Sequence, residues 1–193
     1  IIQESIYGVD IDASAIDIAR LRLWLSLVVD EDDLDPIETL PNLDYKIVCG
    51  NSLIGFPEDV FPNLKVLSEI EELKPSFYDE TDESRKKKLR LEINRKIREL
   101  LDTAEQFAGY KVDFDFKLYF SEVWHKKGGF DIVIGNPPYG LLNKKQNQNF
   151  SITVNSEHLD YFKTANKYES ARGGVINVFR LFITQSGDIL NNK

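Results

Sequence analysis

The chain has 193 residues, 42% hydrophobic and 29% charged, which is enough apolar material for one buried core and too much for a disordered segment. Its formal charge of −8 excludes a surface that binds nucleic acid throughout, so any grip on DNA has to be local. A single cysteine, Cys49, excludes a disulfide framework and fits a reducing cytoplasm, and there is neither an apolar run of about 18 residues nor a basic-then-apolar leader to indicate a membrane or export.

Ile1 stands at the approach to a strand and the chain holds no methionine, which together predict a piece of a longer polypeptide. Residues 5–11 read as a short strand whose last polar position is Asp10. Asp12 then opens a helix that runs to about Val29. Leu21, Leu23, Trp24, Leu25, Leu27 and Val28 make that helix apolar on most faces and predict burial on several sides. A carboxylate between a strand and a helix suits ribose binding, because it accepts from both sugar hydroxyls; Asp10 equally suits the capping of a strand end in water. Residues 31–36 are an acidic run ended by Pro36 and read as a solvated loop. Residues 45–50 are the next strand, with Asn51 and Ser52 at its carboxyl end. Leu53, Ile54 and Phe56 fit either a pocket wall or the core.

Residues 63–111 change character. Val66, Leu67, Ile70 and Leu73 share one helical face, which Pro75 is expected to interrupt. From about Asp82 a second helix carries Leu89, Ile93, Ile97, Leu100, Ala104 and Phe107 at spacings of three and four. The pair reads as an amphipathic helical hairpin inserted between strands, and Arg85, Lys86, Lys87 and Lys88 fit a solvated face better than a phosphate contact. Residues 112–120 alternate with period two and read as extended. Residues 130–134, Phe-Asp-Ile-Val-Ile after two glycines, read as a buried parallel strand.

That strand delivers Gly135, Asn136, Pro137, Pro138, Tyr139 and Gly140 to its carboxyl end, where open α/β sheets place their chemistry. Two prolines fix the backbone and remove two amide donors, Asn136 offers a carboxamide oxygen, and Tyr139 offers a flat ring. Two acceptors and a stacking face suit a planar group bearing an NH2. Asn-Pro-Pro also makes a stiff turn with no chemistry at all. Residues 141–167, rich in Asn, Lys and Gln, read as a mobile loop facing substrate, with Tyr161, Phe162 and Tyr168 marking an ordered face. A last helix is expected from Val175 to about Leu190 with Phe179, Phe182 and Ile183 inward. His125 and His158 lack companion ligands, so no metal site is expected.

The stretch 114–140, ending in Asn136-Pro137-Pro138-Tyr139, resembles the amino-methyltransferases that use S-adenosylmethionine. Within them it is most similar to the DNA adenine methyltransferases of type II restriction–modification systems, above all those that fuse methylase and nuclease. The resemblance covers residues 5–55 and 112–190 and implies a class I methyltransferase (Rossmann-like) α/β sheet, incomplete here. It divides the chain into cofactor-side elements (1–62), a helical insert (63–111) and catalytic elements of the same domain (112–193). It further implies that Asp10 and Ile11, with Asn51 and Ser52, hold the cofactor. Asn51 stands where the family most often has Asp, and Ser121 where it usually has Pro. Asn136, Pro137, Pro138 and Tyr139 are implied to receive an adenine flipped out of duplex DNA. Three other readings stay open: methylation of a protein glutamine amide, whose NH2 is similar; methylation of a cytosine amino group, disfavoured because those enzymes usually carry Ser in place of Asn136; and a scaffold kept for recognition without turnover. No nuclease centre is legible, and the oligomeric state is not.

Overall fold

The computed structural model describes residues 5–29, 42–57, 60, 62–138, 140, 142, 156–174 and 176–191. The acidic run 31–36 and residues 143–155 of the expected loop lie outside them, as does Tyr139.

Strand β1 (Gly8–Asp10) pairs in parallel with β2 (Ile47–Cys49), Gly8 facing Ile47 and Asp10 facing Cys49. Parallel neighbours need a crossover, and helix α1 (Ala13–Val29) lies on it. Asp12 starts α1 by accepting the Ser14 amide on its side chain at 2.8 Å. Ile16, Ala19, Leu23 and Trp24 pack on Leu43 and Ile47, and Arg20 donates to the Ile47 carbonyl while pairing with Asp44 at 3.2 Å. The expected burial of α1 on several sides does not occur: Ile18, Leu21, Leu25 and Val29 are exposed. Two strands give the helix one surface to lie on, and the other apolar face has no counterpart among the described residues.

Helices α2 (Leu64–Asp79) and α3 (Glu83–Ala108) form the hairpin. Asn63 and Asp82 cap their starts with side-chain oxygens, and Gly109, at φ 71°, closes α3 in the left-handed conformation. Val66, Leu67, Ile70 and Phe77 meet Ile93, Ile97, Leu100 and Leu101 in one cluster. Pro75 does not interrupt α2. A proline in a helix costs about 3 kcal/mol, and the turn is retained because Phe77, two residues on, is wholly buried with its ring 5.1 Å from Tyr45. Phe107 is 74% exposed, contrary to its inward phase; α3 has 26 residues against 16 in α2 and outruns it.

The alternation at 112–120 buries Val112 and Phe114, but the segment is not extended throughout. Phe116–Tyr119 is a helical turn, α4, followed by α5 (Ser121–Lys127). The cause is Asp115, whose carboxylate caps α4 at the Leu118 amide (3.0 Å) and also accepts from the Phe56 amide (3.1 Å). Beyond α5, Gly129 passes so close to the end of the last helix that a Cβ would stand 2.8 Å from the Ile189 carbonyl oxygen. Phe130 then bridges Leu190 in parallel.

The buried strand expected at 130–134 is not formed. Pairing stops at Phe130, and Ile132 and Ile134 are 76% and 93% exposed. A parallel strand buries both faces only when neighbours flank it, and none does among the described residues. The second half of the expected loop is instead ordered core: helix α6 (Ser156–Thr164) and a 3-10 turn (Asn166–Ala171) bury Tyr161, Phe162 and Tyr168. Helix α7 (Val178–Ile189) starts at its Asn177 cap and turns Val178, Leu181, Gln185 and Ile189 inward. Phe182 is partly buried and Ile183 exposed. The rotation is set where Val178 donates to the Gly140 carbonyl (3.0 Å) and Leu142 to that of Ile176 (2.8 Å).

Candidate active site

A cleft of about 800 Å³ opens beyond the carboxyl ends of β1 and β2, with the segment after Phe130 as its opposite wall. It brings together Asp10, Ile11, Asn51, Ser52, Asn136, Pro137 and Pro138, from three separate stretches of sequence. Phe116 and Phe120 line it beneath, and Phe182 and Gln185 reach it from α7. The aromatic pair belongs to a set of edge-packed rings that includes Phe114 and Phe130. Sequence reasoning missed these four; the only signal for Phe182 was its helical phase, and nothing marked Gln185.

Asp10 ends β1. Its carboxylate accepts the Asp12 amide at 2.8 Å through one oxygen, and its carbonyl accepts Gly50 N–H at 2.9 Å. The capping and ligand-binding readings of Asp10 are therefore compatible, since the second carboxylate oxygen stays available to the cleft. Gly50 is required here by space: a Cβ would stand 2.4 Å from that of Phe114. At the next position the Asn51 amide donates to Asp113 at 3.2 Å, and the Asn51 side-chain oxygen accepts from Leu53 N–H at 3.0 Å. That oxygen keeps one lone pair, and the side-chain NH2 adds two donors. Leu53 and Ile54 are core residues packed with Tyr168 and Leu181, and neither they nor Phe56 line the cleft. The Tyr168 hydroxyl donates to the Leu53 carbonyl at 2.6 Å, tying the loop after β2 to the 3-10 turn.

Asn136 is exposed on the cleft wall, and its carboxamide has no partner among the described residues. Cys49 is exposed beside the same strand ends. Desolvation first, then the carboxylates of Asp113, Asp10 and Asp12, push its thiol up, so it is no thiolate nucleophile. Among the described residues no group of His, Cys, Asp and Glu is arranged to hold a metal, and no helix is long and apolar enough to cross a membrane.

Parallel strands joined through a helix leave at their carboxyl ends a cleft walled by a carboxylate and two carboxamides, at the place where open α/β sheets bind ligands. The family is specific: residues 4–193 match the model of the Eco57I restriction-modification methylases, and the chain belongs to that family. A protein of Methanocaldococcus jannaschii named "Putative type II restriction enzyme and methyltransferase" is 24% identical over 240 aligned positions, which cover 85% of this chain and 20% of that protein. The chain thus spans about a fifth of the length of this curated relative. No solved structure matches it.

Proposed function

We propose that the chain carries the cofactor and target-base sites of a DNA adenine methyltransferase, transferring a methyl group from S-adenosylmethionine to the exocyclic amino group of adenine. The observation that carries this reading is the convergence of Asp10, Asn51 and Asn136-Pro137-Pro138 on one cleft in a member of a restriction-modification methylase family. In this reading residues 1–62 and 112–193 belong to one class I methyltransferase sheet, and residues 63–111 are an insert within it. The parallel β1–β2 pair, and the α2/α3 hairpin that packs helix on helix and against Tyr45, Val112 and Leu118 on either side of it, support that division.

The residues present fit the cofactor. The cleft volume, about 800 Å³, lies within the range of roughly 300–1,000 Å³ usual for such sites. Asp10 has an oxygen left for ribose hydroxyls, and Asn51 has both a lone pair and two N–H donors for an adenine edge. S-adenosylmethionine, when bound, supplies a methyl group on a positively charged sulfur. Everything else is positioning. Asn136 accepts one amino hydrogen of the target through its side-chain oxygen, and the Pro137 carbonyl accepts the other. Those two bonds draw the nitrogen lone pair out of the ring system and aim it at the methyl group. Tyr139 stacks on the flipped base, a contact worth about 1–3 kcal/mol. No general base of altered pKa is needed at the moment of transfer: as the nitrogen–methyl bond forms, the methyl–sulfur bond breaks and leaves a neutral thioether, and the amino nitrogen, now cationic, gives one proton to solvent.

Incubating the whole protein with labelled S-adenosylmethionine, duplex DNA and a protein substrate bearing an exposed glutamine tests the proposal. Label is expected in DNA. Label in the protein alone moves the assignment to the amide, and label in neither, with cofactor bound, leaves a scaffold for recognition.

A further inference from the structure

At the strand-entry end of the sheet, beside Tyr7, which also lines the cleft, three charged side chains meet where little water reaches. Lys74 of α2 is 3% exposed, and its ammonium donates to Glu122 of α5 at 3.1 Å and to the Tyr119 carbonyl. Lys46, 6% exposed, approaches the other oxygen of Glu122 at 3.5 Å and donates to the Tyr7 hydroxyl at 2.7 Å. Its carbonyl accepts the Gly8 amide at 2.8 Å, and its ammonium also lies 4.2 Å from the Tyr7 ring centre.

The sequence positions of these groups matter as much as the contacts. Tyr7 immediately precedes β1, which ends at Asp10. Lys46 immediately precedes β2, which leads to Asn51. Glu122 lies on α5, which hands the chain through Gly128 and Gly129 to Phe130 and on to Asn136. Lys74 belongs to the inserted hairpin. One partly buried carboxylate therefore holds the lysine at the root of β2, reaches Tyr7 at the root of β1 through that lysine, and stands on the helix that leads to Asn136. Ion pairs of this kind add little net stability compared with apolar side chains of the same shape, whereas their geometry is demanding. The Tyr78 hydroxyl, the Ser121 hydroxyl and one oxygen of Glu71 are buried near this group without partners in the structure, which suits bridging water.

We propose that Glu122, gripped between Lys46 and Lys74, is a positioning residue for the cleft: it fixes the strand-entry ends of the segments bearing Asp10, Asn51 and Asn136 against one another and couples the α2/α3 hairpin to that alignment. Insofar as the cleft binds S-adenosylmethionine, the inference rests on the function proposed above; the coupling itself does not.

The test is amide hydrogen exchange on the whole protein, comparing the parent with Glu122→Gln and with Glu122→Asp, which retains the charge. Glu122→Gln is expected to speed exchange about tenfold at the hydrogen-bonded Gly8, Gly50 and Phe130 amides as well as in α5, with partial recovery in Glu122→Asp. Faster exchange confined to α2 and α5 would overturn the proposal. Should Glu122→Gln fail to fold, Glu122→Asp alone decides: its shortened side chain is expected to perturb β1, β2 and the Phe130 amide together, and an unchanged pattern there overturns the coupling.

A second arm measures S-adenosylmethionine affinity by calorimetry in Glu122→Asp and in Asp10→Ala. Weaker binding in both supports positioning at a cofactor site. Loss in Asp10→Ala with parental affinity in Glu122→Asp and an unchanged exchange pattern defeats the positioning role alone. Parental affinity in Asp10→Ala defeats the cofactor reading while leaving the exchange result to judge the coupling.

Discussion

At the scale of single residues, the proposed function assigns different physics to Asn136 and to Tyr139. Asn136 offers an acceptor that matters most as charge develops on the attacking nitrogen. By analogy with the loss of one oxyanion-hole donor, Asn136→Ala should lower single-turnover methylation on the order of a hundredfold or more with saturating cofactor. Tyr139 acts through its ring, so Tyr139→Phe should stay near the parent in that assay while Tyr139→Ala loses both turnover and flipped-base binding. Equal inactivity of Tyr139→Phe and Asn136→Ala would mean that the hydroxyl does chemistry. Asp10 keeps one carboxylate oxygen for ligand after capping Asp12. Asp10→Ala is accordingly expected to weaken cofactor binding by about tenfold or more, one hydrogen bond to a charged group being worth about 1.5–3 kcal/mol, with DNA binding unchanged in a mobility assay. Asp10, Asn51 and Asn136 were legible as cleft residues because each ends or follows an apolar run where α/β sheets bind ligands. Phe116, Phe120 and Gln185 were not, because a side chain lining a cleft carries the same apolar or helical pattern as one filling a core.

At the scale of elements, close packing makes sharp demands. The Gly50 backbone lies against Phe114, so Gly50→Ala should destabilise the protein by about 1–3 kcal/mol in chemical denaturation, the usual cost of overpacking. The charged group at the strand-entry end adds a pH dependence whose sign follows from Glu122. Burial pushes its carboxyl up, but the Lys74 and Lys46 ammoniums outweigh this and hold it below the usual range. A carboxyl depressed on folding contributes stability above its unfolded value, about 4.3, and that contribution disappears as pH falls through the folded value. The stability gap between parent and Glu122→Gln, expected to be about 3–5 kcal/mol at neutral pH because two buried lysines lose their counter-charge, should therefore narrow in acid. A gap that stays constant from pH 7 to pH 3 would show that folding leaves the Glu122 carboxyl unshifted and that the lysines do not hold it. None of this was readable in the chain, since Lys46, Lys74 and Glu122 look like surface residues until three distant segments meet. Elements with local signals were readable: α1 from Asp12 and its apolar run, α3 from Asp82 and its three-four spacing. Pro75 misled because the burial of Phe77 outweighs a local rule.

At the scale of the whole molecule, the exposed apolar surface has a pattern. Ile132 and Ile134 beside the cleft and Ile18, Leu21 and Leu25 on α1 are the side chains a wider sheet and a second layer would cover. The strand expected at 130–134 has the right sequence for burial and lacks flanking strands among the described residues, so its composition was legible and its pairing was not. The residues 156–171 show the converse: a polar-looking stretch folds into core because Tyr161, Phe162 and Tyr168 find partners in Leu53, Ile54 and α7. The chain covers 20% of the length of the Methanocaldococcus jannaschii relative, so the proposed activity is tested on the whole protein. Its DNA, after incubation with S-adenosylmethionine, can be digested to nucleosides and read by mass spectrometry, with the Asn136→Ala protein in parallel. The account predicts N6-methyladenine as the product and its loss, on the order of a hundredfold or more, in the variant. Methylated cytosine in place of adenine, or undiminished N6-methyladenine from Asn136→Ala, would contradict it.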